Sequence, residues 1–396
     1  MDAIDRLFDR TVAEVIVKEE LERKLRSGRK LRVKEGFDPS RPNLHVGHAV
    51  SLRKLRQFQE LGHQVVLVVG DWTARIGDPS GRDESRTMLT AEQVQLNAET
   101  YMQQFFMIVD RSRTEVRWQS EWYDQFTLVD VFNLTSRFTM AQMMAHETFR
   151  KRFDEGRPLS LMELMYPLLQ AYDSVAIQAD VEFGAMDQKF NNLAGRELQT
   201  SLGLPPQDVF LTPLLPGTDG RKMSKSLGNT IDFTDPPDQM YGKAMSISDD
   251  MLDSYLTLAT EIPDEELEQI RHGLAAGTVN PRDVKMRVAH DIVRQFRGAG
   301  VASQAQAEFV RIFQQHELPN DMPIYRLPGD GPVGILELLM GAGLAQSSSE
   351  ARRLVAQGGV RVDDAKVEDI QTRVAVKDGT ILRVGKRKFA KIVRAS

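Results

Sequence analysis

The sequence predicts an α/β protein: a doubly wound parallel sheet, followed by an α-helical domain and a small α+β module. Three observations carry the prediction. Strand-like apolar runs alternate with helical stretches through the first half of the chain. One run, residues 65–69, is apolar throughout, as a strand covered on both faces must be. The chemically unusual residues then collect just past the strand ends, at 36–48, 70–81, 184–188 and 216–226, where such sheets bind ligands. The chain has 396 residues, enough for two or three domains, and 41% hydrophobic with 27% charged residues is ordinary usage for a folded protein.

Composition excludes several chemistries. There is no cysteine, so disulfide frameworks, thiolate zinc sites, iron–sulfur clusters and cysteine nucleophiles all drop out. The longest aliphatic run, 65–69, is far short of the ~20 apolar residues that span a bilayer. The first ten residues alternate charges around Asp2, Asp5, Arg6, Asp9 and Arg10 and lack the apolar core of a signal peptide. A cytoplasmic protein without a membrane partner is expected.

The elements follow in order. Leu31 and Val33 alternate into a strand closed by Glu35 and Gly36. A loop with Asp38, Pro39 and Pro42 leads to a helix over about 45–61, which stops at Gly62. The buried strand at 65–69 runs into Gly70, Asp71 and the Gly77-Asp78-Pro79-Ser80-Gly81 loop. A strand at 180–183 leads to Gly184 and a helix over about 187–202, and 209–215 reads as the last strand before Pro216-Gly217. Residues 1–220 are therefore expected to hold the sheet, with 90–165 as an insertion. Residues 221–318 read as a loop followed by helices at 251–257, 264–272 and 282–296. The Pro- and Gly-rich stretch 319–333 reads as a linker, and 334–396 as the terminal module.

Charge is unevenly spread. The net charge is −5, yet from residue 351 onward 12 basic residues face five acidic ones, a net +7 that leaves −12 for the rest. A basic end on an acidic body suggests a polyanion partner held locally; a solvated charged surface is the alternative. Pattern favours the former. Ser347 and Glu350 suit a capping box ahead of a helix bearing Arg352 and Arg353, and Gly358 ends it. Val360 and Val362 alternate as a strand, Asp363-Asp364 turns, and 381–384 is followed by Gly385 and the Lys386-Arg387-Lys388 cluster. With short helices at about 334–341 and 350–357, these residues resemble the ribosomal-protein-type RNA-binding module of tRNA-handling proteins. Arg352, Arg353, Lys386, Arg387 and Lys388 are its candidate RNA contacts.

Two motifs carry the chemistry. In His45-Val46-Gly47-His48 the imidazoles share one face at a helix start, where the helix dipole favours an anion. Gly47 leaves room for close approach of a ligand. Two surface histidines or a zinc pair are the rival readings, but the glutamate of H-E-x-x-H is missing and no third ligand pattern is visible, so no metal site is expected. In Lys222-Met223-Ser224-Lys225-Ser226, bracketed by Gly220 and Gly228, two ammonium groups on a loop after a buried strand suit a departing pyrophosphate. Together the motifs resemble the HIGH and KMSKS signatures of class I aminoacyl-tRNA synthetases, which implies a Rossmann-like catalytic domain.

Tyr166, Gln170 and Asp173 lie at i, i+4 and i+7 among apolar neighbours, behind a Ser160/Glu163 capping pair, with Pro167 implying an early-turn position or a kink. With Gly77–Gly81 and Asp187-Gln188, this stretch looks like bacterial tyrosyl-tRNA synthetases of the longer branch, and the similarity runs along nearly the whole chain. The resemblance implies that Asp173 accepts the tyrosine phenol, while Asp78, Tyr166 and Gln170 hold the ammonium and Gln188 lies near the carboxylate. Gly36 and Asp38 would border the adenylate, Asp187 would bind the ribose, and Gly184 would belong to the ATP site. His45 with Ser40 would face the ATP phosphates and His48 the ribose and α-phosphate region, with Gly47 in the same ATP site. Lys222 and Lys225 would take the pyrophosphate, with Met223, Ser224 and Ser226 alongside. The family further implies ATP with Mg2+ as substrate, no tightly bound cofactor, L-tyrosine and tRNA(Tyr) as partners, and a homodimer formed through the 90–165 insertion. Phe105, Phe106, Phe132, Phe138, Met143 and Met144 would serve there as interface or core, core being the default.

The chain departs from the family at several points. Lys34 stands where many members carry a tyrosine that shares the phenol contact, which leaves the hydroxyl site one partner fewer. Glu35 replaces a small residue near the ribose. Gly184-Ala185-Met186 replaces glycine-glycine-threonine, and the added Cβ implies a shifted ribose pocket; an unchanged KM for ATP in Ala185→Gly would refute that. Two rival functions share these motifs: a tryptophan-specific synthetase, disfavoured by Asp173 and the terminal module, and an RNA-binding protein on a dead synthetase body, disfavoured by the intact His45, His48, Lys222 and Lys225.

Overall fold

A computed structural model describes residues 2–40, 43–79, 89–224, 227–313, 322–329, 331–385 and 388–394. The chain divides into two compact units, Met1–Ala302 and Ser303–Ser396. The first is built on a six-stranded sheet of β1 (Glu14–Ile16), β2 (Arg32–Phe37), β3 (Gln64–Val69), β4 (Thr114–Trp118), β5 (Val181–Ala185) and β6 (Asp208–Thr212). Their order across the sheet is β1-β6-β5-β2-β3-β4, with every neighbouring pair parallel except β1 with β6. The apolar run in β3 is buried throughout, as its composition requires at a position between β2 and β4.

Several boundaries differ from expectation. β2 continues through Gly36 to Phe37, because its register with β3 runs on to Phe37 opposite Val69. β6 stops at Thr212 instead of reaching 215, since Pro213 has no N–H for the ladder. The stretch expected as an insertion contains β4, a member of the main sheet, and the short β1 was not foreseen. Residues in that stretch split between core and surface: Phe105 and Met143 are buried, Phe106, Phe138 and Met144 are half-buried, and Phe132 is exposed.

Three helices position the site. The first, α1 (Val46–Glu60), starts from His45 in extended conformation and ends at Leu61, with Gly62 at φ +91°. The second, α2 (Leu161–Ala176), opens with the Ser160–Glu163 capping box and runs continuously through Pro167 in its second turn. That proline leaves the Glu163 carbonyl without its helical donor. The third, α3 (Lys189–Ser201), packs beside it, and both join Val66, Val68, Trp122, Leu168 and Leu198 in one core. Beyond the sheet, helices Pro237–Met245, Leu252–Ala259, Asp264–Ala275 and Pro281–Arg297 follow.

The second unit pairs β7 (Ile324–Leu327), β8 (Val333–Gly334), β9 (Val360–Val362), β10 (Ala365–Lys366), β11 (Arg373–Val374), β12 (Thr380–Val384) and β13 (Lys388–Arg394) into sheets ordered β10-β9-β12-β13-β7 and β11-β8. Helices Ile335–Gly341 and Ser348–Ala356 complete its core with Leu327, Leu382 and Ile392. The stretch expected as a linker thus contains β7, which is held parallel to β13. Ser347 caps its helix as expected, but Glu350 answers to the N–H of Gln346 (2.8 Å) and not to that of Ser347. Among the described residues no helix is long and apolar enough to cross a membrane.

Candidate active site

A cavity of about 570 Å³ opens at the carboxyl ends of β2 and β5, where the strand order reverses. Gly36, Asp38, Ser40, His45, Gly47, His48, Asp78, Tyr166, Gln170, Asp173, Gly184, Asp187, Gln188, Lys222 and Met223 all line it. Ser224 stands outside the lining; Ser80, Gly81, Lys225 and Ser226 lie outside the described residues.

One end is built for an anion. The N-terminus of α1 has no acidic residue in its first turn, so its dipole is uncompensated there. The His45 and His48 rings lie 3.9 Å apart, and the His45 backbone N–H donates to His48 Nδ1 (3.1 Å). With Nδ1 accepting, a neutral His48 carries its proton on Nε2, as a donor. The stretch that follows the lysine segment is bonded to this helix start, and Met223 comes close to it. Leu44 to Val46 bond with Ile231 and Phe233, and a Cβ on Gly47 would come within 3.4 Å of Met223 Sδ. Lys222 Nζ rests on Asp187 Oδ2 (2.9 Å).

The other end is a closed polar slot. Asp173 is 2% exposed; its Oδ2 accepts from Gln119 Nε2 (2.8 Å), while its buried Oδ1 has no partner among the described residues. Burial pushes its carboxyl up to about 7, against the opposing pull of Lys34 and the Gln119 amide. Tyr166 donates to Asp38 Oδ2 (2.9 Å), and Thr73 donates to Asp38 Oδ1 (2.6 Å). Gln188 Nε2 donates to Asp78 Oδ2 (2.6 Å) and is itself braced by Asn191 (3.1 Å). Gly184 is required here: a Cβ would lie 2.8 Å from both Asn192 Nδ2 and Gln188 Cβ.

Lys34 does not line this cavity. It is fully buried beneath it and bonds to Glu182 Oε1 (2.9 Å), so the place beside Asp173 goes to Gln119. Glu35 does line the cavity. Burial lifts its carboxyl to about 8 despite the Ser51 hydroxyl (3.3 Å). Ala185 also lines the cavity; Met186 does not.

Sequence reasoning missed Gln119, and it gave no role to Thr73 and Gly70 within the 70–81 stretch. Gln119 follows β4 in a polar Gln-Ser-Glu run that marks none of the three, and only the fold reveals that it holds the Trp72 and Thr73 amides as well as Asp173. Gly70 carried a visible signal, a glycine ending a buried strand: a Cβ there would lie 2.4 Å from both Asp38 Oδ1 and Thr73 Oγ1. Among the described residues no three His, Asp or Glu side chains cluster as metal ligands. The arrangement joins a helix N-terminus with two histidines and a lysine to a polar slot ending at Asp173.

In the second unit, Arg352 and Arg353 are exposed on their helix and Lys388 is exposed at the start of β13. Gly385 N–H donates to the Gly359 carbonyl (2.7 Å), which brings the hairpin beside the helix end. Lys386 and Arg387 lie outside the described residues.

Residues 26–314 match the family described as tRNA synthetases class I (W and Y), and residues 314–392 match the tyrosine–tRNA ligase SYY-like C-terminal domain. The chain is 54% identical over 391 residues to the tyrosine–tRNA ligase of Dehalococcoides mccartyi strain 195, covering 98% of each chain. It is 52% identical over 388 residues to that of Thermotoga maritima, covering 98% of this chain and 96% of the relative. Its fold is similar to that of Archaeoglobus fulgidus tyrosyl-tRNA synthetase in complex with L-tyrosine. The TM-score is 0.61 at 23% identity, covering 77% of this chain and 100% of the other. A C-terminally truncated mitochondrial tyrosyl-tRNA synthetase from Aspergillus nidulans gives a TM-score of 0.64 at 20% identity, over 78% and 94% of the two chains.

Proposed function

The chain belongs to the tyrosine–tRNA ligases of the class I aminoacyl-tRNA synthetase family, and from that premise we propose how its residues divide the work. It activates L-tyrosine with ATP and transfers the tyrosyl group to the 3′ end of tRNA(Tyr). The ring enters the slot first, and the phenol O–H donates to Asp173 Oδ1. Phenylalanine is rejected because it would leave that oxygen dry and unpaired. Asp78, Tyr166 and Gln170 hold the ammonium, and Gln188 lies near the carboxylate. Asp187 and Gly184 meet the ribose, and Gly36 and Asp38 border the adenylate.

His45, with Ser40, faces the phosphates across Gly47, and His48 meets the α-phosphate through its Nε2–H. Lys222 and Lys225 attend the pyrophosphate, with Met223, Ser224 and Ser226 shaping the loop. The tyrosine carboxylate attacks the α-phosphorus, the bond to pyrophosphate breaks, and tyrosyl-adenylate remains. A tRNA hydroxyl then takes the acyl group and releases AMP. Mg2+ arrives with ATP as part of that substrate, and no tightly bound cofactor takes part. Catalysis rests on positioning and on cationic and N–H donors placed where phosphate charge develops.

The observation that carries this reading is the approach of Gly47 to Met223, which brings two motifs 176 positions apart to one cavity. Tyrosine-dependent ATP–pyrophosphate exchange tests it: strong exchange with tyrosine is expected, and exchange with tryptophan alone, or none, overturns it. The proposed domain roles are catalysis by 1–220, anticodon-side support by 221–318 and RNA binding by the terminal module through Arg352, Arg353, Lys386, Arg387 and Lys388, all in the cytoplasm. We further propose a homodimer joined through Leu128, Val129, Phe132, Met140, Phe153 and Leu161, apolar side chains each more than half exposed on the 90–165 stretch. A monomeric mass by sedimentation would remove the dimer.

A further inference from the structure

Beneath the cavity lies a charged group that the reaction itself does not use. Lys34 and Glu182 are 0% and 1% exposed and face each other at 2.9 Å between β2 and β5. Lys34 Nζ also donates to the Gln170 carbonyl (2.9 Å) and the Ser174 hydroxyl (2.8 Å). Glu182 accepts from Gln170 Nε2 (3.1 Å), Ser174 Oγ (3.2 Å) and Gln207 Nε2. The second acceptor for Gln170 Nε2 is Asn192 Oδ1 (3.1 Å). Both N–H groups of the Gln170 carboxamide are therefore committed below, and the atom left to the cavity that Gln170 lines is its oxygen.

A flipped carboxamide would set oxygen against the Glu182 carboxylate and present N–H groups to the ligand. Desolvation offsets much of the attraction in a pair this deep, so its main consequence is orientation rather than stability. We propose that the buried Lys34–Glu182 pair is a positioning device that locks the Gln170 oxygen toward the cavity, so that the site selects a protonated amine. The proposal rests on the reading that Gln170 holds the substrate ammonium.

The test compares L-tyrosine with 3-(4-hydroxyphenyl)propanoate, which keeps the phenol and carboxylate but lacks the amine, by calorimetric titration of the full-length protein. In Glu182→Gln the carboxamide at 170 is no longer forced to face one way. Tyrosine should bind roughly tenfold more weakly or worse, the deaminated analogue within about twofold of wild type, and KM for ATP should not move. Equal weakening of both ligands would mean a deformed pocket, and no weakening of either would mean an idle pair; each result overturns the proposal. Should Glu182→Gln fold poorly, Lys34→Met with Glu182→Gln removes both buried charges. The same amine-selective loss is expected there, and wild-type discrimination would again overturn it. Gln170→Ala separates the premises. If it weakens both ligands equally, or neither, the reading of Gln170 is wrong. If it weakens tyrosine selectively and Glu182→Gln does not, only the positioning role falls.

Discussion

In the proposed reading, the single residue Asp173 trades stability for selectivity. An exposed aspartate titrates near 3.8, whereas burial holds this one to about 7 in the folded chain. Between those values the native state binds more protons than the unfolded state, so stability falls as pH rises through the window. Above pH 7 the full cost, on the order of a few kcal/mol, is present. Asp173→Asn removes it while still accepting from Gln119. At pH 8 the ligand-free variant should melt about 2–6 °C above wild type, and the gain should shrink towards pH 4. Its KM for tyrosine should rise roughly a hundredfold with KM for ATP nearly unchanged. Equal melting temperatures at pH 8, or parallel rises in both KM values, would refute the assignment. Asp173 was legible because Tyr166, Gln170 and Asp173 share a helical spacing. Gln119 and Glu182 were not, because their partners lie 54 and 148 positions away and only the strand order brings them close. Lys34 was visible as a departure, but its role was hidden for the same reason.

At the scale of elements, local signals placed the sheet well and its edges less well. Continuous apolar runs are unambiguous in β3, but a short edge strand such as β1 offers three half-buried residues and no pattern. The lysine-bearing loop was legible as a motif, while its anchor was not. The Asn229 side chain accepts from the Ser224 N–H (2.7 Å) and donates to Asp219 Oδ1 (2.7 Å) and the Lys222 carbonyl (3.2 Å). A Cβ on Gly217 would fall 2.3 Å from Asn229 Nδ2, so the turn closes tightly around this one carboxamide. Asn229→Ala frees the segment from 219 to 224. The turnover of pyrophosphate exchange should fall about tenfold or more, with KM for tyrosine unaltered, because the slot at Asp173 is built from other elements. Asn229→Asp should not rescue, since a carboxylate would oppose Asp219 and the Lys222 carbonyl. Unchanged turnover in the alanine variant, or a matching rise in KM for tyrosine, would count against the anchor.

At the scale of the whole molecule, the basic stretch lies within the second unit but begins well after the unit itself does. The stretch from residue 351 carries +7 against −12 for everything before it, so attraction for a polyanion is concentrated in the second unit while the acidic remainder works against nonspecific adhesion. That asymmetry was legible, but the boundary was not. A cut at 334 would strip β7 of its partner β13 and expose Leu327, which belongs to the second unit's own core. The informative truncation therefore ends at Phe313, after the helix Ala299–Phe313. The first unit holds its own core and every described lining residue of the cavity, so tyrosine-dependent exchange should stay within about twofold of the full chain. Charging of tRNA should drop by roughly two orders of magnitude; charging by the full chain should fall steeply with added salt, and the truncated chain should show a flatter dependence. If charging persists at full rate, the module has no RNA role. If exchange is lost as well, the two units are not separable, and the basic end contributes to catalysis in a way its charge alone does not explain.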